Sequence, residues 1–214
     1  MPTVLVPASR LERWVRNFDG RHGTTALAVD GGALTGAAAD GSTFVAHLPL
    51  AGRYAGLPDV AGFAAAAGEL PTDWGVLLVR KGGFAVARMA GERVAGSKVG
   101  QRHVQGRTKA GGQSQQRFAR RRDNQARQAY EAAADHAARL LGDLRGPLVA
   151  GGDRGAVHEV LDDPRLARLR PVEPWLPVPD PRRAVLDEAI GHAVALRVDV
   201  TNADAGGDEA SDRA

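Results

Sequence analysis

The residues of this chain best suited to chemistry stand together in AGGQSQQ, residues 110–116. A glycine pair, Gly111 and Gly112, is followed by Gln113, Ser114, Gln115 and Gln116. Glutamine has no useful pKa and cannot act as an ordinary general base. Its amide both donates and accepts hydrogen bonds, so it can hold a water in line with an electrophile. The main chain beside it can stabilise a leaving group, and the glycines let that main chain approach a ligand closely. Positioning of this kind is worth several kcal/mol, of a possible ~7–11. A glutamine at the start of a helix also sits near the positive end of the dipole, which favours developing negative charge by roughly 0.3–1 kcal/mol. The chemistry this suits is hydrolysis of a substrate held by other contacts.

Those contacts are supplied by charge. From Arg93 to Arg122 there is no Asp or Glu, while nine residues are Lys or Arg. The other 19 basic residues face 25 acidic ones, so the rest of the chain carries a net −6 beneath a formal total of +3. Ordinary surfaces mix their signs. A one-sign stretch of this length calls for a polyanion, whose phosphates it would neutralise with release of counterions. Nucleic acid is the expected partner.

At 214 residues the chain could form one domain or two small ones. Without cysteine it has no disulfide framework, thiolate metal site or thiol nucleophile. No apolar run approaches the ~20 residues of a membrane span, and the first residues lack the features of a signal peptide. A cytoplasmic protein, monomeric and free of cofactors, is expected.

The elements that must carry the glutamines can be read in order. Ser9 and Glu12 form a capping box for a helix through Leu11, Trp14, Val15 and Phe18 that Gly20 ends. Ala26–Val29 and Phe44–Leu48 read as strands joined across Asp40-Gly41. A weaker helix lies between Asp59 and Ala67. Strands at Trp74–Arg80, Phe84–Arg88 and Val94–Val99 make an antiparallel meander. Residues 102–112 read as loop. Ser114 is a plausible N-cap for a helix from about Gln115 to Leu141, its inner stripe marked by Ala126, Ala129, Ala133, Ala137, Leu140 and Leu144. A strand at 147–153, a short helix at Ala156–Leu161, a proline-rich stretch at 171–181 without regular structure, a helix from Asp180-Pro181 and a strand at Leu196–Val200 complete the chain. The expectation is an α/β fold: a mixed sheet with an antiparallel meander and a long helix. Residues 1–70 would pack on the core as a helix and hairpin, 71–202 would form the catalytic domain, and 203–214 a disordered tail.

Taken together, KVGQRHVQGRTKAGGQSQQRFARRRDNQA resembles a known family. Its Gly-Gly-Gln before a long helix is similar to the catalytic middle domain of eukaryotic and archaeal class-one peptide-chain release factors. The fuller string resembles more closely the Vms-type release-factor-like proteins of actinobacteria. The likeness covers Trp74 to Leu161, where meander, loop, helix, strand and GGDRGAVHEVL follow in order. It implies a ribonuclease H-like, release-factor middle-domain fold, acting in the ribosomal A site on the ester between nascent peptide and tRNA. The loop would enter the peptidyl transferase centre of the large subunit, where a glutamine coordinates the attacking water. The release-factor pattern assigns that role to Gln113. The actinobacterial pattern, whose shared element is Ser-Gln, assigns it to Gln115, the reading preferred here. Gly111 and Gly112 would shape the tip. Arg107, Lys109, Arg117, Arg120, Arg121 and Arg122 would contact ribosomal RNA or the tRNA acceptor end. A stop-codon-reading domain has no room, so the resemblance implies codon-independent release from stalled ribosomal complexes. Two alternatives stay open: a nuclease cutting the tRNA acceptor end, and an RNA- or ribosome-binding module without chemistry.

Other residues favour plainer roles. Asp30-Gly31-Gly32, which with Asp40 or Glu69 could hold magnesium, is more simply a tight turn. The histidines show no paired ligand spacing. Ser114 has no evident base partner and is better read as a helix cap than as a nucleophile.

Overall fold

The computed structural model describes residues 2–101 and 112–203, with side chains throughout except at 101 and 112–126. The chain divides into two compact units, one of residues 1–69 and 195–214, the other of residues 70–194.

The first unit is built on a five-stranded antiparallel sheet. Its strands are β1 (Thr3–Val6), β2 (Thr25–Asp30), β3 (Ala33–Ala38), β4 (Thr43–His47) and β10 (Leu196–Thr201), in the order β1-β10-β4-β3-β2. Helices α1 (Leu11–His22) and α2 (Val60–Ala67) share one apolar core with it, centred on Leu11, Phe18, Leu34, Phe44, Phe63 and Val198. Phe44 meets Trp14 and Phe18 edge to face, with centroids 5.2 Å apart in both pairs. Asp59 caps α2, its carboxylate accepting the Gly62 N–H at 2.6 Å.

Several expectations change here. Ser9 lies inside a 3-10 turn (Ala8–Arg10), and α1 starts at Leu11 with no side-chain cap. Gly20 does not stop α1, which runs on to His22 and ends at Gly23, whose φ of 87° suits glycine. The strand β3 went unread because its sequence, ALTGAA, is too small and featureless to show alternation. Asp40-Gly41 therefore joins β3 to β4, and Gly31 and Gly32, at φ 58° and 87°, turn β2 into β3. Rather than packing as a hairpin on another core, the N-terminal residues have a sheet and core of their own. The boundary expected at 202 also moves: β10 pairs with β1 and β4, so the second unit stops before it.

The second unit holds a five-stranded mixed sheet. It comprises β5 (Trp74–Arg80), β6 (Gly83–Ala90), β7 (Arg93–Gln101), β8 (Leu148–Gly152) and β9 (Pro171–Leu176), in the order β7-β6-β5-β8-β9. The first three form the antiparallel meander, while β8 runs parallel to β5 and β9 parallel to β8. The apolar run in β5 follows from its central place: Trp74 to Val79 are all buried, so both faces are covered. On one face Leu77, Val79, Phe84 and Val86 share a core with α3 (Gly112–Leu141) and α4 (Arg154–Leu161). On the other lies α5 (Arg183–Ala193), whose Arg183 donates to the Ser97 hydroxyl at 2.8 Å.

Two more expectations change in this unit. The proline-rich stretch does contain a strand, β9, whose prolines are tolerated because it is the sheet edge. α5 begins at Arg183, not at Asp180-Pro181, and Asp180 instead pairs with Arg80 at 3.8 Å. The fold class, mixed α/β with a meander and a long helix, stands. The tail from residue 204 lies outside the described residues.

Leu141 is fully buried where α3 meets the sheet. Truncating it leaves a cavity that close packing cannot refill, so Leu141→Ala should cost about 2–5 kcal/mol. Chemical denaturation will read this as a lowered midpoint. An unchanged midpoint would show that the foot of α3 contributes little to the fold.

Candidate functional site

The sequence that could do chemistry opens the longest element of the protein. α3 has 30 residues, a rise of about 45 Å. The longest strand beside it, β7, has nine residues, about 30 Å. The helix is therefore longer than the sheet on which it rests.

Its lower half is the part held down. Tyr130, Ala133, Ala134, Ala137 and Leu141 are buried against the sheet and α4, and Ala129 is buried as well. The alanines let the helix axis come close, and Gly75 and Gly96 leave room opposite. A methyl at Gly75 would come within 2.8 Å of Leu141, and one at Gly96 within 2.9 Å of Leu140. These contacts also give direction. Leu141 sits at the Gly75 end of the sheet, whereas His136 stacks on Phe84, with centroids 5.5 Å apart, toward the other end. That second end is where β7 finishes, Gln101 opposite Gly83. Counted along the axis, Gly112 lies about 25 Å beyond Ala129, past this end of the sheet.

Two arginine clamps fix the foot. From β6, Arg88 grips Asp73 with two parallel bonds, at 2.8 and 3.2 Å, and also pairs with Asp143. The same guanidinium donates to the Leu140 carbonyl at 3.3 Å, and Arg168 donates to the Gly142 carbonyl. These are the orphan acceptors at the end of α3, where positive charge also complements the dipole. On the other side Arg165 bridges Asp135 of α3 and Asp163, at 2.7 Å to each. Burial pushes Asp73 upward, but Arg88 and the Arg145 N–H outweigh it and keep its carboxyl below the usual range. Arg88 likewise lowers Asp143, and Arg165 draws Asp163 down to about 2. Burial, with Arg139 and Lys98 nearby, holds His136 below the ordinary imidazole range.

Of the candidate residues, Arg107, Lys109 and Gly111 lie outside the described residues. Gly112 is the first residue of α3, so the helix starts before Ser114; that serine is helical and is not the N-cap. Gln113, Gln115, Arg117, Arg120, Arg121 and Arg122 all lie on the helical segment beyond the sheet. The helical repeat separates Gln113 from Gln115 by about 200° around the axis. Gln113 shares a register with Arg117 and Arg120. Gln115 shares the heptad register of Arg122 and Ala129, the line that becomes the buried face lower down.

Sequence reading missed the clamps, because Arg88 finds its partners 15 and 55 residues away and no local pattern marks such pairs. For magnesium, Asp30 borders the glycine turn, and Asp40 is engaged by His22 at 2.8 Å and by the Ser42 N–H at 2.7 Å. Among the described residues no three His, Asp or Glu side chains gather as a metal site, and no helix is long and apolar enough to cross a membrane.

A basic, glutamine-tipped helix on an α/β unit is the arrangement of a release-factor-like protein. The chain belongs to the family described as the Actinobacteria/chloroflexi VLRF1 release factor, matched over residues 72–199. That span includes the whole meander, α3 and its basic half. No curated protein matches the chain.

The Asp163 clamp has a pH signature. Its carboxyl is lower in the folded chain, about 2, than the ~3.9 of an unfolded one, so ionisation favours folding. That contribution is complete above the unfolded value and is lost as pH falls through the folded one. The stability advantage of the native chain over Asp163→Asn should therefore shrink between about pH 5 and pH 2. Denaturant midpoints across that window will measure it. A constant gap would mean the pair does not stabilise the foot.

Proposed function

We propose that this protein is a codon-independent, release-factor-like peptidyl-tRNA hydrolase that acts on stalled ribosomal complexes in the cytoplasm. The observation that carries the reading is the position of Gly-Gln-Ser-Gln at the start of a helix that outruns its sheet, in a chain of the release-factor family. The three antiparallel strands followed by two parallel ones, with helices between, support a ribonuclease H-like, middle-domain fold.

In this reading the clamped foot is the rigid part and the basic half of α3 is the arm. Arg117, Arg120, Arg121 and Arg122, with Arg107 and Lys109 before them, neutralise phosphates of ribosomal RNA or of the tRNA acceptor end. The glutamine tip then enters the peptidyl transferase centre of the large subunit. Gln115 accepts a hydrogen bond from a water and orients it toward the ester carbonyl, with Gln113 as the other candidate. The water oxygen bonds to the carbonyl carbon, and the bond from that carbon to the tRNA oxygen breaks. The proton lost by the water ends on the departing tRNA hydroxyl. Positive dipole at the helix start favours the charge that develops meanwhile. The protein acts as a monomer and needs no cofactor for this chemistry.

Release of labelled peptide from stalled ribosomal complexes tests the chemistry. Gln115→Ala should lower release at least about tenfold while leaving ribosome binding nearly intact. If both Gln115→Ala and Gln113→Ala release peptide at the native rate, the glutamine mechanism is wrong. Reversal of charge at Arg120, Arg121 and Arg122 should weaken co-sedimentation with ribosomes first. Unchanged sedimentation would remove the arm as the docking surface.

A further inference from the structure

Away from the tip, an open groove of about 530 Å³ runs between α4 and the edge strand β9. Its floor is apolar, with Val157, Leu161, Leu169 and Trp175. Two exposed arginines stand along it. Arg154 is the first residue of α4, and its guanidinium carbon lies 4.4 Å from the centroid of the Trp175 ring. Trp175 is itself fixed: its indole N–H donates to the Gly152 carbonyl at 3.1 Å and its backbone N–H to the Glu173 carboxylate at 2.9 Å. Arg170, next to the start of β9, donates to the carbonyls of Ala167 and Leu169 at 2.6 and 2.8 Å.

The partners of these two arginines are an indole face and backbone carbonyls, which leave a full positive charge on each. Among the described residues neither forms an ion pair. The groove also holds two acids. Glu173 is turned to the Trp175 N–H, and Asp162 lies 3.9 Å from His158. The arrangement is particular: a guanidinium laid against an aromatic ring keeps its outer side for a second partner. Arginine planes stack on unpaired bases, and an arginine without a carboxylate partner can take a phosphate beside them, even though the two acids balance the groove's formal charge. The volume falls within the ~300–1,000 Å³ of small-ligand sites. An extended peptide is the poorer fit, because pairing with the free edge of β9 would meet Pro171 and Pro174, which have no N–H to donate.

We propose that this groove holds a short segment of single-stranded RNA, one base stacked on the outer face of the Arg154 guanidinium and a phosphate at Arg170. The inference rests on the release-factor reading only for RNA as the partner; no catalysis enters it. In a ribosomal complex the groove would give the second unit a grip on RNA separate from the arm.

The test uses the full chain carrying charge reversal at Arg120, Arg121 and Arg122, which removes binding by the arm. Short single-stranded oligoribonucleotides are titrated while the Trp175 indole N–H resonance is followed by NMR. A saturable shift is expected. Arg154→Lys keeps the charge but loses the plane, so it should weaken binding at least about tenfold, nearly as much as Arg154→Ala. Arg170→Ala should weaken binding and flatten its salt dependence. Circular dichroism confirms that each variant is folded, and an unfolded Arg154→Ala leaves the decision with the lysine variant. Absence of any RNA-dependent shift overturns the proposal, as does an Arg154→Lys variant that binds like its parent. A shift produced by acidic peptide and not by RNA would make the groove a protein-docking site instead. Peptide release is scored separately, so loss of the groove and loss of the hydrolase reading have different signatures.

Discussion

The structure of the second unit depends on how one end of a long helix is held. Alanine buries little area, so the contact between α3 and the sheet cannot draw on large side chains along most of its length. What it gains is proximity: with small residues on the helix and Gly75 and Gly96 on the strands, the backbones approach closely. Of the larger groups in this core, Tyr130 lies higher on the helix, and Leu141 and Leu144 lie at the end where the chain turns into β8. The arginine clamps add direction to this packing. Arg88 and Arg165 reach α3 from different neighbours, one in the sheet and one following α4, so the foot is fixed against rotation as well as withdrawal. A charge-assisted, two-pronged pair with Asp73 tolerates little change of angle.

Under the proposed function, this arrangement would separate two requirements that a working tip places on one element. The lower half must be rigid, since small rotations there become large displacements 25 Å or so away along the axis. Under the proposed function the upper half would carry unlike chemistry, a run of positive charge with uncharged amides at its end. Arginine, glutamine and alanine are all good helix formers, so the segment has helical propensity of its own. The acidic remainder has a part in this too. Under the proposed function, a net −6 outside the basic stretch would repel a polyanion while the stretch attracts it, orienting the approach before any contact forms.

Much of the second unit was legible in the sequence because its signals are local. β5 is an unbroken apolar run, the meander has glycine at each turn, and α3 carries a sustained stripe. What escaped reading was decided at a distance. β3 is recognisable only through the partners on either side of it, since ALTGAA has no pattern. β9 was hidden by prolines that an edge strand accepts and a central one does not. β10 looked like the end of the second unit because it follows α5 closely, yet its register belongs to β1 and β4. The candidate site divides in the same way. The glutamines, glycines and basic residues stood out by composition, whereas the clamps and the Arg154–Trp175 pair consist of residues unremarkable in sequence and joined only by the fold.

The composition of the arm also bears on which bond it would cut. Scission of an RNA strand through its own 2′-hydroxyl needs a base to take that proton as the phosphate is attacked. Between Arg93 and Arg122 there is no carboxylate, and the single histidine is His103. An ester makes a lesser demand. Its carbonyl is already an electrophile, its departing hydroxyl can accept the proton that water gives up, and a neutral amide suffices to hold that water in line. Guanidinium groups around the tip would lower the cost of negative charge on the carbonyl oxygen without supplying a base. An arm rich in positive charge and amides, with a single histidine, would thus be better matched to an acyl carbon than to a phosphodiester.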